Sequence, residues 1–292
     1  MTDAPHFDAE ISLAALYVYP VKSCGGTAPA DALLIETGLE FDRAWMVVDA
    51  SARLGRFVTQ RQVPRMALIQ PTLNALDMVL RAPGMLALTV PLGEVGAAVR
   101  VTVWNDEVAA YDMGDAAAQW FSDFLGQPLR LVRFDPAHKR LASAQWTGEI
   151  EAEAAFSDEY PLLVTSQASH DELNRRIAAS GAAPVTMQRF RPNLVLDGLD
   201  AHGEDHLDEI HFDTPDGPVR LKLVKPCARC SIPDVDPLTG ETGHAVGDAL
   251  AAYRADARLS GALTFGMNTV IVEGFDCMLR PGLVGGATYR FD

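Results

Sequence analysis

The sequence predicts a mainly β protein with some helices, of the α+β class, organised as about two domains. Its 292 residues exceed the roughly 150 residues of a typical domain. Short apolar segments recur about every ten residues through the first half, separated by Gly, Pro and Asp, which is typical of sheets and barrels. Within 219–224, apolar residues alternate with Arg220 and Lys222, the pattern of a half-buried strand.

The apolar segments of the first half predict a series of strands joined by turns. We expect strands at 11–18, 32–35, 45–48, 66–71, 78–80, 86–90 and 99–104, with a turn at 49–55. Gly, Pro and Asp punctuate turns because they suit backbone conformations that other residues avoid. This spacing predicts an all-β sheet or barrel for the first half of the chain.

A helix is expected after residue 115, where the pattern changes. Trp120, Phe121 and Phe124 recur at helical spacing. Asp115 is the expected N-cap of this helix and Gly126 its expected C-cap. The aromatic residues therefore predict one amphipathic helix near the end of the first domain.

The second half mixes strands with a further helix. The expected strands are, in order, 129–134, 162–166, 193–196, 206–212, 219–224, 263–273 and 286–291. A helix at 169–179 is expected to begin with Ser169 and Glu172, whose spacing is that of a capping box. A polar stretch at 135–155 predicts an exposed loop, and we place the domains at 8–126 and 127–292.

The charge balance limits the partners that the protein can bind. Lys and Arg number 24 against 39 Asp and Glu, so the formal net charge is -15. Nucleic-acid binding needs a basic surface that displaces counterions, and adhesion to anionic lipid needs one too. We therefore expect neither nucleic acid nor membrane as a partner, and an anionic ligand only where Arg and Lys cluster locally.

The cysteine content and the N-terminal segment indicate a reducing compartment. Four cysteines are too few for a disulfide scaffold. Residues 1–10 are polar and acidic and lack the features of a signal peptide, and no apolar run approaches about 20 residues. These observations predict a cytoplasmic protein.

The spacing Cys227–Cys230 directly follows an expected strand and allows several interpretations. A structural zinc site needs four ligands, and only Cys24 and Cys277 remain, each alone in sequence. A thioredoxin-type pair needs a helix, which the prolines after the pair oppose. One thiolate could instead bind a soft metal, or both thiols could be small buried apolar groups. The spacing alone does not choose between these.

Several ordered motifs resemble those of one family. KPCARC at 225–230 and VDPLTG at 235–240 closely resemble the signature of the MOSC family, named after the molybdenum cofactor sulfurase C-terminal domain. Five further motifs resemble the branch in which a β-barrel domain precedes MOSC: YPVKSC at 19–24, DRAW at 42–45, TQRQVPR at 59–65, FSD at 156–158 and FRPN at 190–193. That branch includes the mitochondrial amidoxime-reducing components and their bacterial relatives.

The resemblance implies a fold and a set of site residues. It implies an N-terminal β-barrel domain packed against a MOSC β-barrel domain, with a molybdenum–molybdopterin cofactor between them. Cys230 matches the molybdenum ligand, and Asp158 matches an acidic residue beside the metal that could relay protons. The matches for cofactor binding are Lys22, Ser23 and Arg43 at the pterin phosphate and Arg191 at the pterin. We add Arg229, whose charge beside Cys230 is expected to favour the thiolate form of that cysteine.

The resemblance also implies a function. We expect an oxidoreductase that reduces small N-hydroxylated compounds, with electrons from an external ferredoxin or flavin reductase because the chain is expected to lack a ferredoxin domain. The alternative is a carrier that holds the molybdenum cofactor, or sulfur on Cys230, without turnover. Pyridoxal phosphate binding belongs to the family only as a general label. Glu159, Tyr160 and Ala228 depart from the family pattern, and these departures bear on specificity.

Overall fold

The computed structural model describes residues 6–52 and 55–290, which form a mainly β protein with some helices, as predicted. The strands of the first half are β1 Ala9–Leu16, β2 Ala32–Ile35, β3 Gly38–Leu39, β4 Trp45–Asp49, β5 Gly55–Arg56, β6 Gln70–Leu73, β7 Asp77–Arg81, β8 Leu88–Pro91, β9 Ala98–Val103, β10 Asp106–Asp112 and β11 Leu129–Phe134. Those of the second half are β12 Leu162–Ser166, β13 Leu194–Asp197, β14 Leu207–Thr214, β15 Gly217–Ala228, β16 Ala255–Asp256, β17 Ala262–Glu273, β18 Met278–Leu279 and β19 Val284–Tyr289. The helices are α1 Asp115–Leu125, α2 Ala144–Thr147, α3 Gln167–Ala179 and α4 Ala245–Ala251.

The largest sheet closes into a barrel. Its eight strands run in the order β12-β13-β1-β19-β14-β15-β17-β16. Closure follows because β12 pairs in parallel with β13 and antiparallel with β17. Alternate residues of the strands point inward, and Leu13, Leu196 and Leu221 are among those fully buried in this core. Closing the sheet removes most of its exposed edge.

The N-terminal strand β1 belongs to this barrel. It pairs antiparallel with β13, with Leu13 opposite Leu196, and with β19, with Ile11 opposite Gly285. Strand β2 similarly pairs with β18 near the other end of the chain. The domain limits 8–126 and 127–292 remain a prediction. Strands from the two halves of the chain pair within the same sheets.

The rest of the N-terminal half forms a second barrel-like unit. It contains a five-stranded sheet, β4-β11-β10-β9-β5, and a three-stranded sheet, β6-β7-β8. Helix α1 packs against β11 and β8 and buries the predicted aromatic residues Trp120, Phe121 and Phe124. These side chains join Trp45 of β4 in one hydrophobic core.

The predicted helix signals are partly correct. Gly126 ends α1 with a left-handed φ of 74°, which confirms it as the C-cap. Asp115 is wrong as the N-cap, because Gly114 holds that position and Asp115 is the first helical residue. The capping box at Ser169 is wrong as well. Ser166, at the end of β12, accepts the Ser169 N–H at 3.1 Å and caps α3 three residues before the expected position.

Two other local predictions are corrected by the structure. Pro64–Leu68 forms a 3-10 turn where the start of a strand was expected, because Pro64 presets helical φ at its first position. The stretch 135–155 contains the short helix α2 and is not wholly exposed, since Arg140 and Ala154 are buried within it. Strand β10 and helix α4 were not anticipated. Residues 1–5, 53–54 and 291–292, parts of the predicted N-terminal segment, turn and last strand, lie outside the described residues.

Helix length bears on the relation to membranes. Within residues 6–52 and 55–290, no helix is long and apolar enough to cross a bilayer. The longest helix is α3, with 13 residues, against the roughly 20 that a membrane-spanning helix needs.

Candidate functional site

A cleft that is open to solvent lies where the N-terminal unit meets the eight-stranded barrel. The N-terminal unit contributes residues 22–23, 43, 59 and 61, and the barrel contributes residues between 157 and 163, 190 and 193, and 227 and 232. All seven predicted site residues line this cleft: Lys22, Ser23, Arg43, Asp158, Arg191, Arg229 and Cys230. Their binding roles remain a prediction, but the fold brings together residues as far apart in sequence as Lys22 and Cys230.

Three of these residues have strained backbone conformations. Ser23, Arg43 and Arg191 have φ values of 67°, 49° and 57°, in the left-handed region that L residues rarely adopt. Tertiary hydrogen bonds hold the segments in place, because Lys22 N–H donates to Trp45 O at 2.8 Å and Arg43 N–H donates to Tyr19 O at 2.9 Å. Such strain persists only where the surrounding structure imposes it, and it concentrates at functional sites.

Lys22 and Asp158 form an ion pair at the cleft. The Lys22 ammonium donates to Asp158 Oδ1 at 2.6 Å and to Phe156 O at 2.7 Å. The Lys22 side chain is 7% exposed and that of Asp158 is 66% exposed. Surrounding protein atoms oppose ionisation of Asp158, but the charge and hydrogen bond of Lys22 outweigh them and hold its pKa below the usual range. Burial lowers the pKa of Lys22, against the opposing charge of Asp158.

Two residues that sequence reasoning missed hold the Asp158 loop. The Arg140 guanidinium, on a side chain that is 8% exposed, donates to Ala155 O at 3.2 Å, to Ser157 O at 2.8 Å and to Asp158 O at 2.7 Å. Trp104 Nε1 donates to Asp158 Oδ1 at 3.2 Å from the turn between β9 and β10. Neither residue carried a motif, and Arg140 lay in the stretch predicted to be exposed.

Arg43 and Arg191 contact each other in the wall of the cleft. Arg43 Nη2 donates to Arg191 O at 2.9 Å, and Arg43 Nη1 is paired with the buried Asp42. Arg191 Nη1 donates to Cys24 O. Burial, followed by the charge of Arg43, lowers the pKa of Arg191 to about 10, so the guanidinium stays charged at neutral pH.

The two cysteines of the pair differ in their surroundings. Cys227 is half-buried at the end of β15, and Cys230 is exposed beyond it. We expected Arg229 to act on its neighbour Cys230, but Arg229 Nη1 donates to Cys227 Sγ at 3.0 Å and Nη2 donates to Phe190 O at 2.8 Å. These two hydrogen bonds hold the Arg229 guanidinium beside Cys227. In the described ranges, no group of three or more His, Cys, Asp or Glu is arranged so that it could hold a metal ion.

Glu159, one of the residues that depart from the family pattern, forms an ion pair with Lys225. Lys225 Nζ donates to Glu159 Oε2 at 2.7 Å and lies 5.5 Å from the ring centroid of Tyr160. Glu159 and Tyr160 both line the cleft, and Ala228 lies there without a polar side chain. Thr59, Arg61 and Asn193 line it as well. These three stand in motifs that we had quoted without assigning them a role.

The electrostatics of the cleft fit an anionic, acceptor-rich ligand. Its lining carries five cations, Lys22, Arg43, Arg61, Arg191 and Arg229, against the carboxylates of Asp158 and Glu159. Three buried atoms of lining residues have no hydrogen-bond partner in the described part of the chain: Arg191 Nη2, Arg229 Nε and Ser157 Oγ. Unsatisfied buried donors are costly, so they mark where acceptors of a ligand would be stabilising.

The barrel, the cleft and the cysteine pair at its rim define a protein of the MOSC class. The family model described as the MOSC N-terminal beta barrel domain matches residues 10–128, and the model described as the MOSC domain matches residues 151–282. The chain belongs to the MOSC family, in the group that contains the mitochondrial amidoxime-reducing components.

Three relatives illustrate the extent of the similarity. Mitochondrial amidoxime-reducing component 1 of Homo sapiens is 36% identical over 239 residues, which are 78% of this chain and 67% of that protein. Mitochondrial amidoxime reducing component 2 of Homo sapiens is 33% identical over 253 residues, 83% of this chain and 72% of that protein. Molybdenum cofactor sulfurase of Bos taurus is 31% identical over 256 residues, which are 82% of this chain and 28% of that protein.

Proposed function

We propose that this protein binds a molybdenum–pterin cofactor in the cleft and reduces small N-hydroxylated compounds with electrons from a separate donor protein. The observation that carries the proposal is the cluster of five cations in one cleft of a chain with a net charge of -15. A phosphate-bearing ligand needs such a local cluster, because the rest of the surface repels anions. A cytoplasmic location and a ferredoxin or flavin reductase as donor stay predictions.

The lining residues fit this cofactor. Cys230 is exposed at the rim, where its thiolate would be the protein's ligand to molybdenum. Lys22, Ser23 and Arg43 would hold the phosphate, because an ammonium, a hydroxyl and a guanidinium match its oxygens. The unsatisfied donors of Arg191 and Arg229 would meet acceptors of the pterin. When bound, the molybdenum centre supplies the two-electron chemistry, which protein side chains do not provide.

The chain's own residues supply proton handling beside that centre. Asp158 is a carboxylate at neutral pH, so it accepts a hydrogen bond from the hydroxyl of an N-hydroxylated substrate and orients it. Lys22 donates a hydrogen bond to this carboxylate at 2.6 Å, and burial lowers the pKa of the ammonium. Because Asp158 is ionised and open to solvent, we assign it the relay of protons to the substrate, with Lys22 holding its carboxylate in place.

A carrier role is the second candidate. The exposure of Cys230 favours it, since an exposed thiol could hand over sulfur or a cofactor to another protein. The similarity to a molybdenum cofactor sulfurase supports the same idea, although the match spans 28% of that protein.

Metal analysis combined with turnover separates these functions. The full chain would be produced in cells that make the cofactor, and molybdenum and zinc would be measured in the wild type, Cys230→Ala and Cys227→Ala. We expect molybdenum in the wild type, its loss in Cys230→Ala and its retention in Cys227→Ala, which serves as the matched control. Reduction of an aromatic amidoxime with a chemical electron donor supports the enzyme, and bound molybdenum without turnover supports the carrier. Zinc without molybdenum contradicts both.

A further inference from the structure

The ring of Tyr19 contacts two guanidinium groups from separate parts of the chain. The Cζ atom of Arg43 lies 4.5 Å from the ring centroid, and that of Arg191 lies 4.2 Å from it. Tyr19 is 1% exposed, so these contacts are shielded from water. Cations within about 6 Å of an aromatic centroid are attracted to the ring, most strongly where water is excluded.

The two guanidinium groups repel each other, and the ring offsets part of that repulsion. The charge of Arg43 is one cause of the lowered pKa of Arg191, second to burial. Burial raises the pKa of Tyr19, so its phenol stays neutral and its ring keeps the negative face that attracts cations. The Tyr19 hydroxyl has no hydrogen-bond partner in the described part of the chain, so the ring is the part of the side chain that contacts the two arginines.

Backbone contacts fix the ring between the arginines. Asp42, which is 4% exposed, accepts the Tyr19 N–H at 2.8 Å through Oδ1 and pairs with Arg43 through Oδ2. Tyr19 O in turn accepts the Arg43 N–H at 2.9 Å. Among the described residues, Arg191 forms no ion pair with a carboxylate, and its guanidinium instead contacts the Tyr19 ring. An aromatic face holds a cation without cancelling its charge, which a second carboxylate would do.

We propose that Tyr19 is a positioning residue that holds Arg43 and Arg191 in place for an anionic group in the cleft without itself adding a negative charge. The inference deepens the proposed function, because it assigns the arrangement of the anion-binding end to a residue that does not itself line the cleft. Both arginines have a left-handed φ, and contact with the ring stabilises the guanidinium positions that result, which offsets part of the backbone strain.

Binding of inorganic phosphate to the full chain without cofactor tests the proposal. The variants are Tyr19→Phe, Tyr19→Leu and the full chain with mono-, di- and trifluorophenylalanine at position 19, each measured by calorimetry. Tyr19→Phe keeps the ring and removes only the unpartnered hydroxyl, so we expect its phosphate affinity to match the wild type. We expect Tyr19→Leu to bind phosphate about tenfold more weakly, and the affinity to fall with each added fluorine, because fluorine withdraws the charge that attracts the cation.

The outcomes separate this inference from the proposed function. The fluorinated series keeps the size of the ring, so it remains informative if Tyr19→Leu fails to fold. A phosphate affinity that does not change along the series overturns the positioning role. Absence of phosphate binding by the wild type, together with absence of molybdenum in protein from cofactor-producing cells, overturns the proposed function itself. Phosphate binding that weakens along the series while molybdenum is absent supports the positioning role alone.

Discussion

The Lys22 ammonium lies 2.6 Å from Asp158 Oδ1, across a sequence separation of 136 residues. The contact joins the N-terminal loop after β1 to the loop before β12, one on each side of the cleft. Lys22 is almost fully buried, while Asp158 is open to solvent. The pair therefore links the two halves of the site and shifts the pKa of both members.

Removing the carboxylate should destabilise the fold in a pH-dependent way. Asp158→Asn leaves the buried Lys22 ammonium with Phe156 O as its recorded acceptor, and we expect a loss of about 1–2 kcal/mol at pH 7. The folded-state pKa of Asp158 is depressed, so its contribution is present above the unfolded pKa of about 3.9 and is lost as pH falls through the lower folded value. Urea unfolding at several pH values measures the difference. Glu107→Gln, in the exposed pair with Arg100, is the control, and a difference that does not shrink below about pH 4 contradicts the prediction.

Arg140 should be a strong determinant of loop stability. Arg140→Met leaves three backbone carbonyls between residues 155 and 158 without their donor, and we expect a loss of about 2–4 kcal/mol. Arg140→Lys should recover part of this, because an ammonium can donate to some of the same carbonyls. Chemical denaturation measures both variants against Arg100→Met, where an exposed pair contributes under about 1 kcal/mol. Equal stabilities for Arg140→Met and Arg100→Met would falsify the prediction.

Thiol accessibility should divide the four cysteines into two classes. Cys230 is exposed and Cys227 half-buried, whereas Cys24 and Cys277 are buried. Burial raises the pKa of Cys24 to about 12, which removes its reactive thiolate at neutral pH. An aromatic disulfide reagent should therefore react quickly with two thiols in the native protein and with all four in denaturant. Cys230→Ser should leave one fast thiol and Cys277→Ser two, and a third fast thiol in the native wild type would contradict the structure.

The buried Glu204 should make stability fall as pH rises. Burial raises its pKa, partly offset by hydrogen bonds from Ser169 at 2.7 Å and Ser166 at 2.8 Å. A raised folded-state pKa gives a contribution that is full below the unfolded value of about 4.3 and is lost as pH rises through the folded value. Glu204→Gln lacks this titration, so its stability relative to the wild type should increase from about pH 4 upward. A pH-independent difference between the two proteins would exclude the mechanism.

Much of the local structure was accessible from sequence. The apolar segments 32–35, 129–134 and 162–166 match the bounds of β2, β11 and β12, because a short run of apolar residues between turn signals determines its own secondary structure. Gly126 marked a helix end for a similarly local reason. The caps at Gly114 and Ser166 were missed, since more than one residue near each terminus could serve and only the path of the preceding chain selects one.

The candidate site residues could be predicted one by one from the family motifs, but not from hydrophobic periodicity or charge spacing. Lys22, Asp158 and Cys230 could be named as candidates because each stands in an ordered motif. The side-chain partners could not be predicted. Arg229 was expected beside Cys230 and instead contacts Cys227, because the position of the Phe190 carbonyl decides where its second nitrogen points.

Composition, spacing and local motifs were enough to establish the fold class, the sign of the net charge and the candidate residues. The folded chain was needed to show that Arg140 and Trp104 hold the Asp158 loop and that Tyr19 contacts both Arg43 and Arg191. The physical reason is that hydrogen bonds and cation–π contacts depend on distances of a few ångströms. Strand pairing across the whole chain sets those distances, with β1 next to β13 and β19.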